Sequence, residues 1–170
     1  GVVTGLMFVI NTLLFFTAML PFILLKAIIP NATIRHYLTR VIMFLGTAWI
    51  DSNSAIQRLA INIRWDVQGL DGFSLKKSYL VISNHRSWAD IFVLQRIFNH
   101  RIPFLKFFLK KELMWVPILG VAWWALDYPF MKRYSRQFIE KHPELKGKDM
   151  ETTRKFCAKF KKSPVTVLNF

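Results

Sequence analysis

Gly1 to Leu25 carries no charged residue, and Asn11 is its only strongly polar side chain. A helix crosses a hydrocarbon core with about 20 apolar residues. The run therefore predicts a membrane-anchoring helix, kinked at Pro21 in a way that lipid or a neighbouring helix tolerates. A cleaved signal peptide has a shorter apolar core that ends in small residues, whereas Lys26-Ala-Ile-Ile-Pro30 follows here. A second apolar stretch, Tyr37 to Leu59, contains Val41 to Ile50 between Arg40 and Asp51. It reads either as an interfacial or re-entrant helix paired with the first or as a buried helix of the soluble body. Residues 1–60 are thus grouped as membrane-anchoring helices, and residues 61–170 as a separate body.

In the body the period shortens. Asn62 to Gln68 alternates apolar and polar side chains, the signature of a strand, and Gly69-Leu-Asp-Gly72 supplies turn chemistry. Ser78 to Ser83 is nearly continuous in apolar residues, which predicts a strand buried on both faces. Ala89 to Phe98 predicts a helix, Phe104 to Phe108 a strand, Lys110 to Trp115 a helical turn, Pro117 to Leu126 a helix and Tyr128 to Met131 a short strand. Lys148 to Lys162 is amphipathic, with Cys157 read as a small buried hydrophobe; Pro164 ends it, and Val165 to Phe170 predicts a last strand. Strands alternating with helices argue for an α/β fold: a mixed sheet flanked by helices, preceded by the anchoring segment.

Composition narrows the partners. Of 170 residues, 53% are hydrophobic, which excludes a disordered chain, yet the net charge is +14. Only Lys26, Arg35, Arg40 and Arg58 are basic in the first sixty residues, so the cationic character belongs to the body. A chain both apolar and basic suits an anionic phospholipid membrane, whereas a nucleic-acid reading rests on charge alone. Lys26, Arg35 and Arg40, just after the apolar run, place that end in the cytoplasm by the positive-inside rule. The single cysteine excludes an intrachain disulfide or a multi-cysteine metal site. His36, His100 and His142 have no partners at ligand spacing, so no metal is expected.

The chemistry concentrates in Ser83-Asn84-His85-Arg86-Ser87-Trp88-Ala89-Asp90, at the carboxyl end of a strand, where α/β sheets gather reacting groups. On one continuous helix, positions five apart lie about 140° apart around the axis. With His85 in the loop and Asp90 in the first helical turn, the imidazole can instead fold back onto the carboxylate. Asp90 would then fix the tautomer and stabilise the imidazolium. No G-x-S-x-G nucleophile motif is present, so His85 is read as taking a proton from the acceptor's own hydroxyl. The competing structural reading makes Asn84 and Asp90 caps and His85 an ordinary loop histidine.

Asn84-His-Arg-Ser-Trp-Ala-Asp90 resembles the N-H-x-x-x-x-D block of the glycerolipid acyltransferases, typified by the 1-acylglycerol-3-phosphate acyltransferases. Lys110-Lys-Glu-Leu113 with Pro117 and Gly120 resembles the family's K-x-E-L…P…G stretch, and Phe130-Met-Lys-Arg133 its F-x-x-R block. The resemblance implies acyl transfer from a thioester, acyl-CoA or acyl carrier protein as co-substrate, to a hydroxyl of a lysophospholipid, with no bound cofactor. It implies His85 as the base and Asp90 as its orienting acid, with Arg133 and Lys110 against the acceptor phosphate. Asn84 and Ser87 are further candidates for substrate binding. The wording of the first block and of Tyr128 to Arg136 is similar to a bacterial inner-membrane branch, with the site facing the cytoplasm. Trp88, Trp115, Trp123 and Trp124, with Phe104, Phe107 and Phe108, are expected to line an acyl tunnel, to lie at the bilayer interface or simply to pack the core.

Two departures stand out. Asp127-Tyr128 occupies the place where a glycine usually opens the second block. The family's third block, E-G-T-R or a variant, and its proline-containing fourth block do not occur in the sequence. Residues 61–170 therefore read as the N-terminal part of a catalytic domain, and the 170-residue polypeptide alone is expected to turn over little. The alternative function is a catalytically inactive, membrane-bound lipid scaffold.

Overall fold

The computed structural model describes residues 1–60, 62–131, 139–140, 151, 153–154, 157–158 and 163–170. It opens with a hairpin of two long helices, α1 (Val2–Ile28) and α2 (Ala32–Ala60). α1 runs unbroken through Pro21. Asn31 caps α2: its Oδ1 accepts from the backbone N–H groups of Thr33 and Ile34 at 3.0 and 3.1 Å. The second apolar stretch is thus a full partner of α1, longer at both ends than its apolar core suggested.

The hairpin buries several polar groups and leaves many apolar ones exposed. The buried side chains of α1 are Asn11, Met19, Ile23 and Lys26, while Val2, Leu6, Val9, Ile10, Leu13 and Leu14 are exposed. A soluble helix turns its apolar stripe inward and a polar face out; this one buries Asn11 and Lys26 beside Met19 and Ile23 and still leaves apolar side chains exposed. The inward groups find one another: Asn11 Nδ2 donates to Asn53 Oδ1 at 2.8 Å, Ser52 Oγ to Asn11 Oδ1 at 2.7 Å and Trp49 Nε1 to Thr12 Oγ at 3.3 Å. By length and composition α1 is able to cross a membrane.

Lys26 departs from the sequence reading. It is 2% exposed, so it is no interfacial flanking charge. Its Nζ donates to the Ala125 carbonyl at 2.7 Å and to Asp127 Oδ1 at 3.0 Å, and sits 5.7 Å from the Trp124 ring centroid. Thr39 Oγ donates to the other carboxylate oxygen at 3.2 Å. Asp127 has φ 56, a left-handed conformation that Asp tolerates better than most residues. An aspartate in place of the family's glycine thus keeps the turn and adds an anion that ties both helices of the hairpin to the body. Lys26 is buried but Asp127 is more than a third exposed, so Lys26→Met loses charge-assisted hydrogen bonds without stranding a buried anion and is expected to cost roughly 2 kcal/mol in unfolding measurements. The double variant Lys26→Met/Asp127→Asn keeps a residue that tolerates the left-handed turn and is expected to recover part of that loss; a Lys26→Met variant as stable as the parent would show that the pair is dispensable.

The body holds β1 (Tyr79–Ile82), α3 (Ala89–Phe98), β2 (Leu105–Phe107), β3 (Leu109–Lys110), a 3-10 turn (Lys111–Trp115), α4 (Leu119–Ala125), β4 (Phe130–Met131) and β5 (Thr166–Asn169). Gly120 lets the 3-10 turn and α4 meet backbone to backbone, since a Cβ there would land on the Met114 carbonyl. The α/β character stands, but the mixed sheet does not: every described pairing is parallel. β5 lies between β1 and β2, and β3 pairs β4 in a separate two-stranded sheet. The two helices of the hairpin, α3 and the parallel strands enclose a core around Ile42, Leu105, Phe107, Ala125, Leu126 and Leu168. Tyr128, buried among them, donates to the Leu105 carbonyl at 3.0 Å, and burial pushes its phenol pKa up.

Three local expectations fail. Asn62 to Gln68 is not a strand, because alternation alone supplies no ladder partner; Ile63 and Val67 are exposed and Trp65 instead stacks on the Arg96 guanidinium, 4.4 Å from its ring centroid. β1 is not buried on both faces, since Leu80 and Ile82 point to solvent. Cys157 is exposed rather than buried. Most of the Lys148–Lys162 segment, and Arg133, lie outside the described residues.

Candidate active site

β1 ends at Ile82 and the chain reaches α3 through the loop 83–88. Asp90, in the first turn of α3, organises that loop. Its Oδ2 accepts from the backbone N–H groups of Arg86 at 2.6 Å and Ser87 at 2.8 Å, while Ser87 Oγ accepts from the Ala89 N–H at 3.2 Å. The capping role is therefore real, and the same carboxylate oxygen also faces His85. His85 Nδ1 lies 3.4 Å from the same Asp90 oxygen. That exceeds the usual N–H···O range of 2.7–3.2 Å, as catalytic contacts often do before substrate tightens them.

The Ser87 N–H, then that of Arg86, and to a lesser degree the neighbouring imidazole, hold the Asp90 carboxyl below its ordinary pKa despite a small opposing effect of burial. The carboxylate stays ionised at neutral pH. Its stabilising contribution is present above the ordinary carboxylate range and is lost as pH falls through the lowered value. In the tautomer protonated at Nδ1, that proton faces Asp90 and Nε2 carries the available lone pair.

His85 is 40% exposed and also belongs to the lining of a cavity of about 520 Å³. That volume lies in the range of small-molecule sites, ~300–1,000 Å³. The walls are almost wholly apolar: residues between Phe8 and Met19 on one side of α1, Trp49 of α2, Ile91 and Phe92 of α3, Phe104 just before β2, Phe107 and Leu109 of the strands, and Ala122 and Trp123 of α4 all contribute. Gly46 opens one wall, for a Cβ there would meet the Phe104 ring at 3.1 Å. Of the aromatic residues singled out from sequence, Trp88, Trp123, Phe104 and Phe107 line the cavity. Trp115 is 85% exposed instead.

The other predicted site residues that the structure describes are exposed near these elements. Asn84 and Ser87 are exposed in the His85 loop. Lys110 is exposed at the end of β3, paired in register with Met131, so the K-x-E-L and F-x-x-R segments share one small sheet. Two participants were not read from sequence. The apolar first helix forms a wall of the cavity, and Phe170 stacks on His85 with centroids 4.2 Å apart and an interplanar angle of 30°. The available signal for Phe170 was its place one residue past a strand that could pair with β1. Among the described residues no group of three or more His, Cys, Asp or Glu side chains is arranged to hold a metal.

A family model described as Acyltransferase matches residues 64–167. The 1-acyl-sn-glycerol-3-phosphate acyltransferase alpha of Ovis aries is 32% identical over 72 residues, 42% of this chain and 24% of the ovine protein. The 1-acyl-sn-glycerol-3-phosphate acyltransferase of Saccharomyces cerevisiae is 34% identical over 90 residues, 52% of this chain and 29% of the yeast protein. The matched stretch thus spans less than a third of the length of either relative. No solved structure matches the chain.

Proposed function

The chain belongs to the Acyltransferase family, and we propose that it transfers a fatty acyl group from a thioester donor to the hydroxyl of a lysophospholipid such as 1-acylglycerol-3-phosphate. One observation carries this reading: a solvent-accessible imidazole, backed by a carboxylate, stands in the wall of a large apolar cavity. The acyl chain lies in the cavity, where its burial is favourable, and the thioester carbonyl rests beside His85.

His85 Nε2 then takes the proton of the acceptor hydroxyl as its oxygen attacks the carbonyl carbon. The tetrahedral intermediate collapses with cleavage of the carbon–sulfur bond. The imidazolium returns its proton to the departing thiolate, so the imidazole is regenerated and neither metal nor redox partner is consumed. The Asp90 carboxylate offsets the charge on the imidazolium while it exists. Arg133 and Lys110 are assigned to the acceptor phosphate, on the resemblance of their segments to the family blocks and on the chemistry of Arg and Lys toward phosphate. Asn84 and Ser87 flank the same opening.

The outward apolar face of the helical hairpin supports membrane anchoring of the site. Placement at the cytoplasmic face of a bacterial inner membrane rests on Arg35 and Arg40 and on the wording of the Asn84–Asp90 and Tyr128–Arg136 segments alone. The donor, acyl-CoA or acyl carrier protein, is assigned by chemistry, as both present the same thioester. The test is transfer of a radiolabelled acyl group by the full-length protein in detergent–lipid micelles, with lysophosphatidic acid, lysophosphatidylglycerol or lysocardiolipin as acceptor. Formation of a diacyl product is expected; hydrolysis of the thioester without transfer would refute the assignment.

A further inference from the structure

Two contacts meet on the His85 ring from different directions. Asp90 touches its Nδ1 edge at 3.4 Å, and Phe170 lies against its face with centroids 4.2 Å apart. We propose that Phe170 is a positioning residue for proton transfer: its ring holds the imidazole plane in the orientation at which Nε2 meets the acceptor hydroxyl. This deepens the acyl-transfer reading and rests on it.

The carboxylate cannot orient the ring alone. Its Oδ2 already accepts two shorter hydrogen bonds, from the Arg86 and Ser87 N–H groups, and His85 is the third and longest contact on that oxygen. An edge contact of this length leaves the ring free to swing about the line joining it to the carboxylate, and the torsion that turns an imidazole is intrinsically broad. The ring is 40% exposed, so other packing constrains it little. A flat hydrocarbon face laid at 30° to the imidazole blocks that swing, and it contributes no polar atom that would compete for Nε2.

The fold delivers this face reproducibly. β5 runs parallel to β1 with Asn169 opposite Ile82, and the Ser83 N–H donates to the Asn169 carbonyl at 3.2 Å, which extends the ladder by one bond. Phe170 therefore sits one residue beyond a fixed rung, while His85 sits two residues beyond the other side of it. The sheet thus brings together two rings that are 85 positions apart in the chain.

The test uses the full-length protein and the transfer assay above. Phe170→Leu keeps apolar bulk but removes the flat face; it is expected to lower kcat roughly 10- to 100-fold, the penalty of a displaced reacting group, with KM for donor and acceptor unchanged within about twofold. Phe170→Tyr keeps the face and is expected to stay within about threefold of the parent. In the parent, the His85 ring-carbon protons should be displaced upfield in the NMR spectrum by the Phe170 ring current, and Phe170→Leu should abolish that displacement. The proposal is overturned if Phe170→Leu turns over like the parent. A rise in acceptor KM with kcat intact would overturn it as well, since Phe170 would then be a pocket wall. So would Phe170→Tyr falling as far as Phe170→Leu. Absence of transfer by the parent would contradict the acyl-transfer reading itself, and the NMR arm separates that failure from a failure of the stack.

Discussion

His85→Ala in the full-length protein is expected to lower acyl transfer at least about 10³-fold, the upper part of the range for loss of a positioned general base. An alcohol is a poor nucleophile at neutral pH, and the other titratable side chain among the described lining residues, Tyr128, is buried with its hydroxyl donating to the Leu105 carbonyl. The variant should fold normally. Asp90 makes its two hydrogen bonds to the Arg86 and Ser87 N–H groups without His85, so the turn into α3 keeps its cap. His85 is on the surface of a loop and its removal opens no internal void. Unfolding temperature should therefore move little while kcat collapses, a combination that distinguishes a chemical role from a structural one. Transfer within a few-fold of the parent would remove His85 from the mechanism.

Asp90→Asn is expected to lower kcat by roughly 10²–10⁴ with a small effect on KM, the pattern of a group felt mainly in the transition state. The substitution is nearly isosteric, and an amide oxygen can still accept the Arg86 and Ser87 N–H groups. What it removes is the charge opposite the imidazolium, since the oxygen that accepts those two N–H groups is also the one that faces His85 Nδ1. Because those N–H groups hold the carboxyl below its ordinary pKa, the acid limb of the parent's pH–rate profile should not be set by Asp90. A variant with unchanged kcat but weakened acceptor binding would mean that Asp90 serves substrate rather than His85.

How far these groups were legible depended on their separation along the chain. His85 and Asp90 are five residues apart at a strand–helix junction, so local geometry alone brings them together, and α3 begins and ends where its periodicity does. Lys26 and Phe170 were misread or missed for the opposite reason. Lys26 follows an apolar run and looks like an interfacial charge, yet its partner Asp127 is 101 positions away. Phe170 meets His85 only because β5 inserts between β1 and β2. Asn62 to Gln68 shows the converse limit, since alternation describes what one face of a strand would bury without supplying the neighbour it must bond. The hairpin's apolar outer face was visible in composition. Its inner Asn11–Asn53 contact, and its share in the cavity wall, needed the fold.

The premise under all of this is where the donor's hydrocarbon tail goes. An acyl-CoA with a diazirine near its terminal methyl, irradiated with the full-length protein in micelles and followed by peptide sequencing, reports that directly. Label is expected on inward residues such as Phe8, Thr12, Phe16 and Trp49, and excess unlabelled acyl-CoA should displace it. Label confined to the outward positions Leu6, Leu14 and Leu24, undiminished by competitor, would place the tail in surrounding lipid and contradict the assignment of the cavity.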